Sequence, residues 1–315
     1  MARLCTILGT VVAVAVAVPS PATQAQAGAY ALWIYEILPE EAPDLHDGSL
    51  EDWQRLGFGP TLTETEFEEL PPTDEGRIGP PDVSFDIYLG WMADPPRLYM
   101  GIELRDDEWQ LYEGDQVPLI EGKDRLVIGI DADATGDYTW EEMTASGCRD
   151  EEWDPERQRW YCASDERQAQ FWEFVLRVAL EPRLYHGLRE WTTALPWSDA
   201  GGSPGPKGDT LVMEGWVTPF DQCYYEGPER SVVSTLSAGQ TVLLYAGGKD
   251  YDRVQADVPI HMQGLWYNVQ IGPSSGAHPW NSDRWPAAVL MPASARPTAV
   301  PTAAWGRLKR GGGKQ

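Results

Sequence analysis

Between Leu98 and Leu104 apolar side chains recur at every second position: Leu98, Met100, Ile102 and Leu104 share one face, Tyr99, Gly101 and Glu103 the other. A period of two marks a strand with one side in a core. Asp94-Pro95-Pro96 breaks any helix just before it and supplies a turn, so 85–105 reads as a hairpin. Short β-rich runs bounded by turn residues add strands over 29–37, 126–130, 171–180, 210–219 and 241–246. No repeat of solenoid length is present.

Composition favours many short strands over a helical bundle. The chain of 315 residues holds 31 Gly and 26 Pro for turns, and 15 Trp with 13 Tyr as bulky apolar side chains. The pattern predicts an all-β fold, an antiparallel β-sandwich of jelly-roll or immunoglobulin-like type with long surface loops. One domain is expected over 28–308. The stretch 198–209, with Gly201-Gly202 and Pro204-Gly205-Pro206, reads as a loop inside it, and 56–82 as an acidic surface excursion. Trp53, Trp91 and Trp216 lie in or beside predicted strands and are expected in the core.

Ahead of this domain, Arg3, an apolar run over 4–18, Pro19, Pro21 and Ala25-Gln26-Ala27 have the charge, length and cleavage chemistry of a signal peptide, 1–27. The apolar run is short of the roughly 20 residues a membrane helix needs. Secretion, or export to a periplasm, follows from cleavage near Ala27; an uncleaved anchor is the alternative. The tail 309–315 is basic and Gly-rich and is expected to be disordered.

Charge narrows the partners. With 24 basic against 49 acidic residues and a formal net charge of −25, the surface repels phosphate backbones and excludes nucleic acid as a partner. It attracts cations. Asp131, Asp133 and Asp137 place three carboxylates around Gly136, an oxygen cluster suited to Ca²⁺, and Glu142 stands where a twelve-residue loop would end. The competing reading is an Asp-rich turn whose side chains cap their own backbone. Asp250 and Asp252 form a lesser acidic pair.

Cysteine usage fits export. Cys148 and Cys162 bracket a polar, turn-rich stretch, so a hairpin stapled by a disulfide is one reading; Cys223 pairing with either, or three buried thiols, are the others. Catalysis has little support: His46, His186, His261 and His278 have neither metalloprotease nor triad spacing, and no Gly-x-Ser-x-Gly elbow occurs. The chain is expected not to be an enzyme.

Asp47-Gly48-Ser49-Leu50-Glu51-Asp52-Trp53, Leu89-Gly90-Trp91 with the Arg97–Asp107 return, Asp124-Arg125-Leu126-Val127-Ile128-Gly129-Ile130-Asp131, Glu214-Gly215-Trp216-Val217-Thr218-Pro219-Phe220, 241–245 with Asp250-Tyr251-Asp252, and Trp305-Gly306-Arg307-Leu308 follow one another in order. This series resembles the family 9 carbohydrate-binding modules and the related DOMON domains that bind haem or sugar, and it spans nearly the whole chain after the leader. The resemblance implies a sandwich that holds a terminal sugar between two Trp, one just before the Asp124 position and one in the loop before the closing strand. Residues 119–123 carry no aromatic, so Trp109 or Tyr112 would supply the first ring and Trp280 or Trp285 the second, with Asn281 and Asp283 as polar partners for sugar hydroxyls. The competing reading makes such Trp side chains caps on the open ends of the core. A structural or protein-interaction sandwich, or a haem-binding domain using Met92 or His261, are the alternatives to a carbohydrate partner.

Overall fold

The computed structural model describes residues 32–63, 67–69, 84–106, 109–110, 124–136, 151–154, 159–162, 169–176, 182–185, 190–204, 210–224, 227–252, 261–268, 282 and 285–297. The leader, the tail 309–315, and Tyr112, Asp137, Glu142, Cys148, Trp280, Asn281 and Asp283 lie outside the described residues.

The strands are β1 (Leu32–Glu36), β2 (Leu62–Thr63), β3 (Phe67–Glu69), β4 (Ser84–Ala93), β5 (Pro96–Arg105), β6 (Arg125–Asp131), β7 (Glu151–Asp154), β8 (Arg159–Cys162), β9 (Gln170–Leu176), β10 (Pro182–Tyr185), β11 (Ser198–Pro204), β12 (Thr210–Val217), β13 (Phe220–Gln222), β14 (Val232–Val233), β15 (Thr241–Asp252), β16 (His261–Asn268) and β17 (Ala287–Met291); α1 (Glu51–Arg55) is one short helix. A 13-stranded sheet runs β10-β9-β6-β15-β17-β1-β4-β5-β12-β11, with β2 beside β4, β16 beside β15, and β3 on β16. Among the described residues no helix is long and apolar enough to cross a membrane.

The fold is the expected all-β sandwich, made from one curled sheet. Inward-facing residues of both halves form one core, with Ile34, Phe85, Met100, Ile128, Trp172 and Met213 each fully buried. Phe174 of β9 approaches β12 so closely that a Cβ on Gly215 would stand 3.2 Å from its ring, which brings the two halves face to face. Each such side chain, buried completely, contributes roughly 1.5–3 kcal/mol. The predicted alternation holds in β5, where Leu98, Met100, Ile102 and Leu104 all enter this core. Trp53, Trp91 and Trp216 are buried as expected.

Three features depart from the sequence reading. The sheet is mixed: β1 runs parallel to both β17 and β4. Neither neighbour follows β1 through a hairpin, so no tight turn imposes the antiparallel sense. The expected loop at 198–209 begins as strand β11, paired along its length with β12. Gly201 serves there because a Cβ would stand 2.0 Å from the Leu45 carbonyl oxygen, and Pro204 closes the strand on the sheet's edge. Within the 56–82 excursion, β2 joins β4 and β3 joins β16.

Each half of the sheet also has an outer face with its own cover. Residues 37–58 lie over β4, β5 and β12, burying Ile37, Leu45, Leu50 and Trp53 against Tyr99 and Trp216. On the opposite half, Trp285 packs with Val127, Ala169 and Tyr245. The β7–β8 hairpin forms where the flanking cysteines suggested one, with Cys162 opposite Glu151; Cys223 is buried elsewhere.

Candidate functional site

The loops carrying the candidate aromatics are tied to the two ends of β6. At its start, the Gln110 amide donates to Asp124 Oδ2 at 2.5 Å and the Asp124 amide to the Gln110 carbonyl at 3.1 Å, which fixes Trp109 half-buried against the inner core. At its end, the Ser282 hydroxyl donates to Asp131 Oδ2 at 2.7 Å, and Trp285 follows one turn later with its amide bonded to the Ser282 carbonyl. The Trp285 ring lies on the middle of β6, where a Cβ on Gly129 would come within 2.6 Å of it. Tyr245 stands 5.7 Å away, centroid to centroid.

Trp285 is therefore 4% exposed and serves as a wall of the outer cluster, a placement that leaves no open face for a sugar ring. Trp109 sits on the inner side of the sheet and Trp285 on the outer side, so these two rings do not form the jaws of one clamp. The polar neighbours of Trp285 in sequence predict a loop. The signal that locates it is Gly129, a glycine inside an otherwise apolar strand, which marks the close approach of another group.

The candidate metal residues Asp131 and Asp133 do come together. Asp131 is buried at the end of β6 and accepts from the Gly136 amide at 2.9 Å as well as from Ser282. Burial, reinforced by a hydrogen bond shared with Asp133, pushes its titration up to about 6, while Ser282 and Gly136 pull the other way. Asp133 Oδ1 accepts from the Thr135 amide and hydroxyl at 3.2 and 2.7 Å, the self-capping arrangement of an Asp turn. Among the described residues no group of three His, Cys, Asp or Glu side chains stands ready to hold a metal ion.

Of the haem-ligand candidates, Met92 is 3% exposed and packs in the outer cluster under the 37–58 cover, its sulfur 4.0 Å from the Tyr99 hydroxyl. His261 contributes backbone pairing in β16.

A flat aromatic open to solvent does exist on the sheet itself. Trp33 of β1 is 56% exposed, with Val289 of β17 opposite it in register and Thr241 of β15 beyond. In the sequence it lies within the predicted strand 29–37, and period-two patterning alone does not tell which of its faces is open.

The opening motif closes on the Glu-led strand. Trp53, held by α1, donates its indole N–H to Glu214 Oε1 of β12 at 2.8 Å. Its ring covers Gly101 of β5, where a Cβ would lie 2.6 Å from Nε1, and reaches Gly90 of β4. Three of the resembling segments, far apart in sequence, thus meet at one indole.

No protein-family model and no curated protein sequence matches this chain. Among solved structures it is similar to a family 9 carbohydrate-binding module from Caldicellulosiruptor kristjanssonii in complex with cellotriose, at 10% identity and a TM-score of 0.49, over 86% of this chain and 98% of that one. The module from the same organism in complex with glucose aligns at 11% identity and a TM-score of 0.44, over 82% and 95%.

Proposed function

We propose that this chain is an exported, non-catalytic β-sandwich that binds carbohydrate. The observation that carries the reading is the meeting of the opening motif, the hairpin and the Glu-led strand at Trp53, because the sequence resemblance to sugar-binding modules rests on those segments. Trp33 offers what a pyranose ring stacks on, a flat apolar face in the open. The test is calorimetric titration of the chain after Ala27 with mono- and oligosaccharides, glucose and cello-oligosaccharides among them. It is run with and without Ca²⁺, the ion proposed for Asp131, Asp133 and Asp137. Saturable heat that Trp33→Ala or Trp109→Ala weakens is the expected result, and no heat with any sugar would sink the reading. A non-reducing peptide map reads the proposed Cys148–Cys162 link in the same preparation.

A second reading, a structural or protein-interaction sandwich without a sugar site, is favoured by the burial of Trp285 and by its separation from Trp109 across the sheet. Saturation by a sugar excludes it.

A further inference from the structure

Glu214 stands in the middle of β12, 1% exposed, on the outer face beneath the 37–58 cover. One carboxyl oxygen accepts the Trp53 indole proton; the other, Oε2, has no hydrogen-bond partner among the described residues. A buried carboxylate satisfied on one side only is costly when ionised and far less so when neutral. The cover rests directly on the backbone to either side of it. Gly101 and Gly201 pair with Glu214 in register, and a Cβ on the first would strike the Trp53 indole while one on the second would strike the Leu45 carbonyl and the His46 ring.

The charged and titratable groups around it add no compensating cation among the described residues. From the cover come Asp44, Asp47 and Asp52, with Arg55 held by Asp52 at 2.8 Å, and His46, whose ring lies 3.3 Å from Asp199 of β11. On β5, Arg97 lies over the Trp216 ring at 3.7 Å, and Glu103 is paired with Arg105. On β4 stand Asp86, 3.9 Å from Arg105, and Tyr88, whose hydroxyl burial holds up to about 12.

We propose that the Glu214 carboxyl is a proton-operated latch: neutral, it holds the 44–58 cover on the sheet through Trp53, and on losing its proton it lets that cover lift. Burial pushes its titration up to about 8, against the pull of the Trp53 hydrogen bond, and Asp47, Asp52 and Asp44 raise it further. The folded carboxyl keeps its proton to higher pH than the unfolded one, so the contact is fully present in mild acid and is lost as pH rises through about 8. The indole serves either state as donor; the buried charge beside three like charges is what drives release.

Hydrogen exchange on the whole chain after Ala27, corrected for the intrinsic rate at each pH from 6 to 10, reads the latch. Protection of amides 44–58 is expected to fall by about tenfold or more from pH 6 upward and to level off near 8, while β5 and β12 stay protected. Glu214→Gln keeps an acceptor for Trp53 without the charge and should stay protected throughout. Asp47→Asn removes a like charge and should move the step to lower pH. A flat profile in the native chain, or the same fall in Glu214→Gln, overturns the proposal; if Glu214→Gln does not fold, an unmoved levelling point in Asp47→Asn overturns it.

Discussion

Two tryptophans lie on glycines of the same sheet, and the carboxyl beside each meets a different fate. Trp53 covers Gly101 on one outer face, with Glu214 next to it; Trp285 covers Gly129 on the other, with Asp131 nearby. In both places the absence of a Cβ lets a large ring lie against backbone. The covers differ in the donors they bring. The turn ahead of Trp285 supplies the Ser282 hydroxyl, and the loop after β6 the Gly136 amide, so Asp131 titrates near 6. The 37–58 cover supplies one indole and three like charges, so Glu214 titrates near 8. Depth alone does not set a buried acid's proton affinity; the donors that come with the covering segment decide it.

The comparison is most severely tested at the two rings. Trp53→Ala should cost roughly 3–5 kcal/mol in chemical denaturation, since it empties the centre of its cluster. Trp285→Ala should cost about 3 kcal/mol and leave sugar heats unchanged. If Trp285→Ala instead abolished sugar binding at no cost in stability, the two rings would no longer be equivalent.

The acids come next. In a pH series of urea unfolding, Glu214 should make stability decline between about pH 4.5 and pH 8, by at most about 1.4 kcal/mol per pH unit, because the unfolded carboxyl gives up its proton first. Glu214→Gln should remove that decline and leave the contribution of Asp131, which ends near pH 6. Ser282→Ala should cost about 1 kcal/mol and push the Asp131 titration higher, since it deletes a donor to the ionised form. The smallest effect is expected at Trp33→Ala, within about 0.5 kcal/mol of native stability because the ring is largely in solvent, with its consequence confined to sugar heats.

Strands whose apolar side chains alternate were legible from the sequence, because the pattern itself is the packing: β5 and the hairpin to β4 are the clear cases. The strand character of β11 was hidden, since Gly201 is there for the sake of Leu45 and His46 over it, a contact with residues some 150 positions earlier in the chain. Of the candidate site, Asp131 and Asp133 share one turn, and the hydrogen bonds they accept depend on Ser282, Gly136 and Thr135 oxygen and nitrogen positions that spacing does not give. Trp53 and Trp285 are the same residue type in similarly polar local sequence, and the glycine each rests on lies in a different strand. A reader of one segment at a time sees neither partner.

The parallel pairing of β1 with β17 has a mechanical consequence. Leu32 lies beside Ala288 and Tyr35 beside Met291, so tension entering through the chain before Leu32 and leaving through the chain after Met291 pulls the two strands lengthwise past one another. Every rung of that ladder then bears the load together and must rupture at once, whereas a hairpin pulled from its open end peels one rung at a time. The strand that joins the two halves of the sandwich is thus also its clamp against stretching.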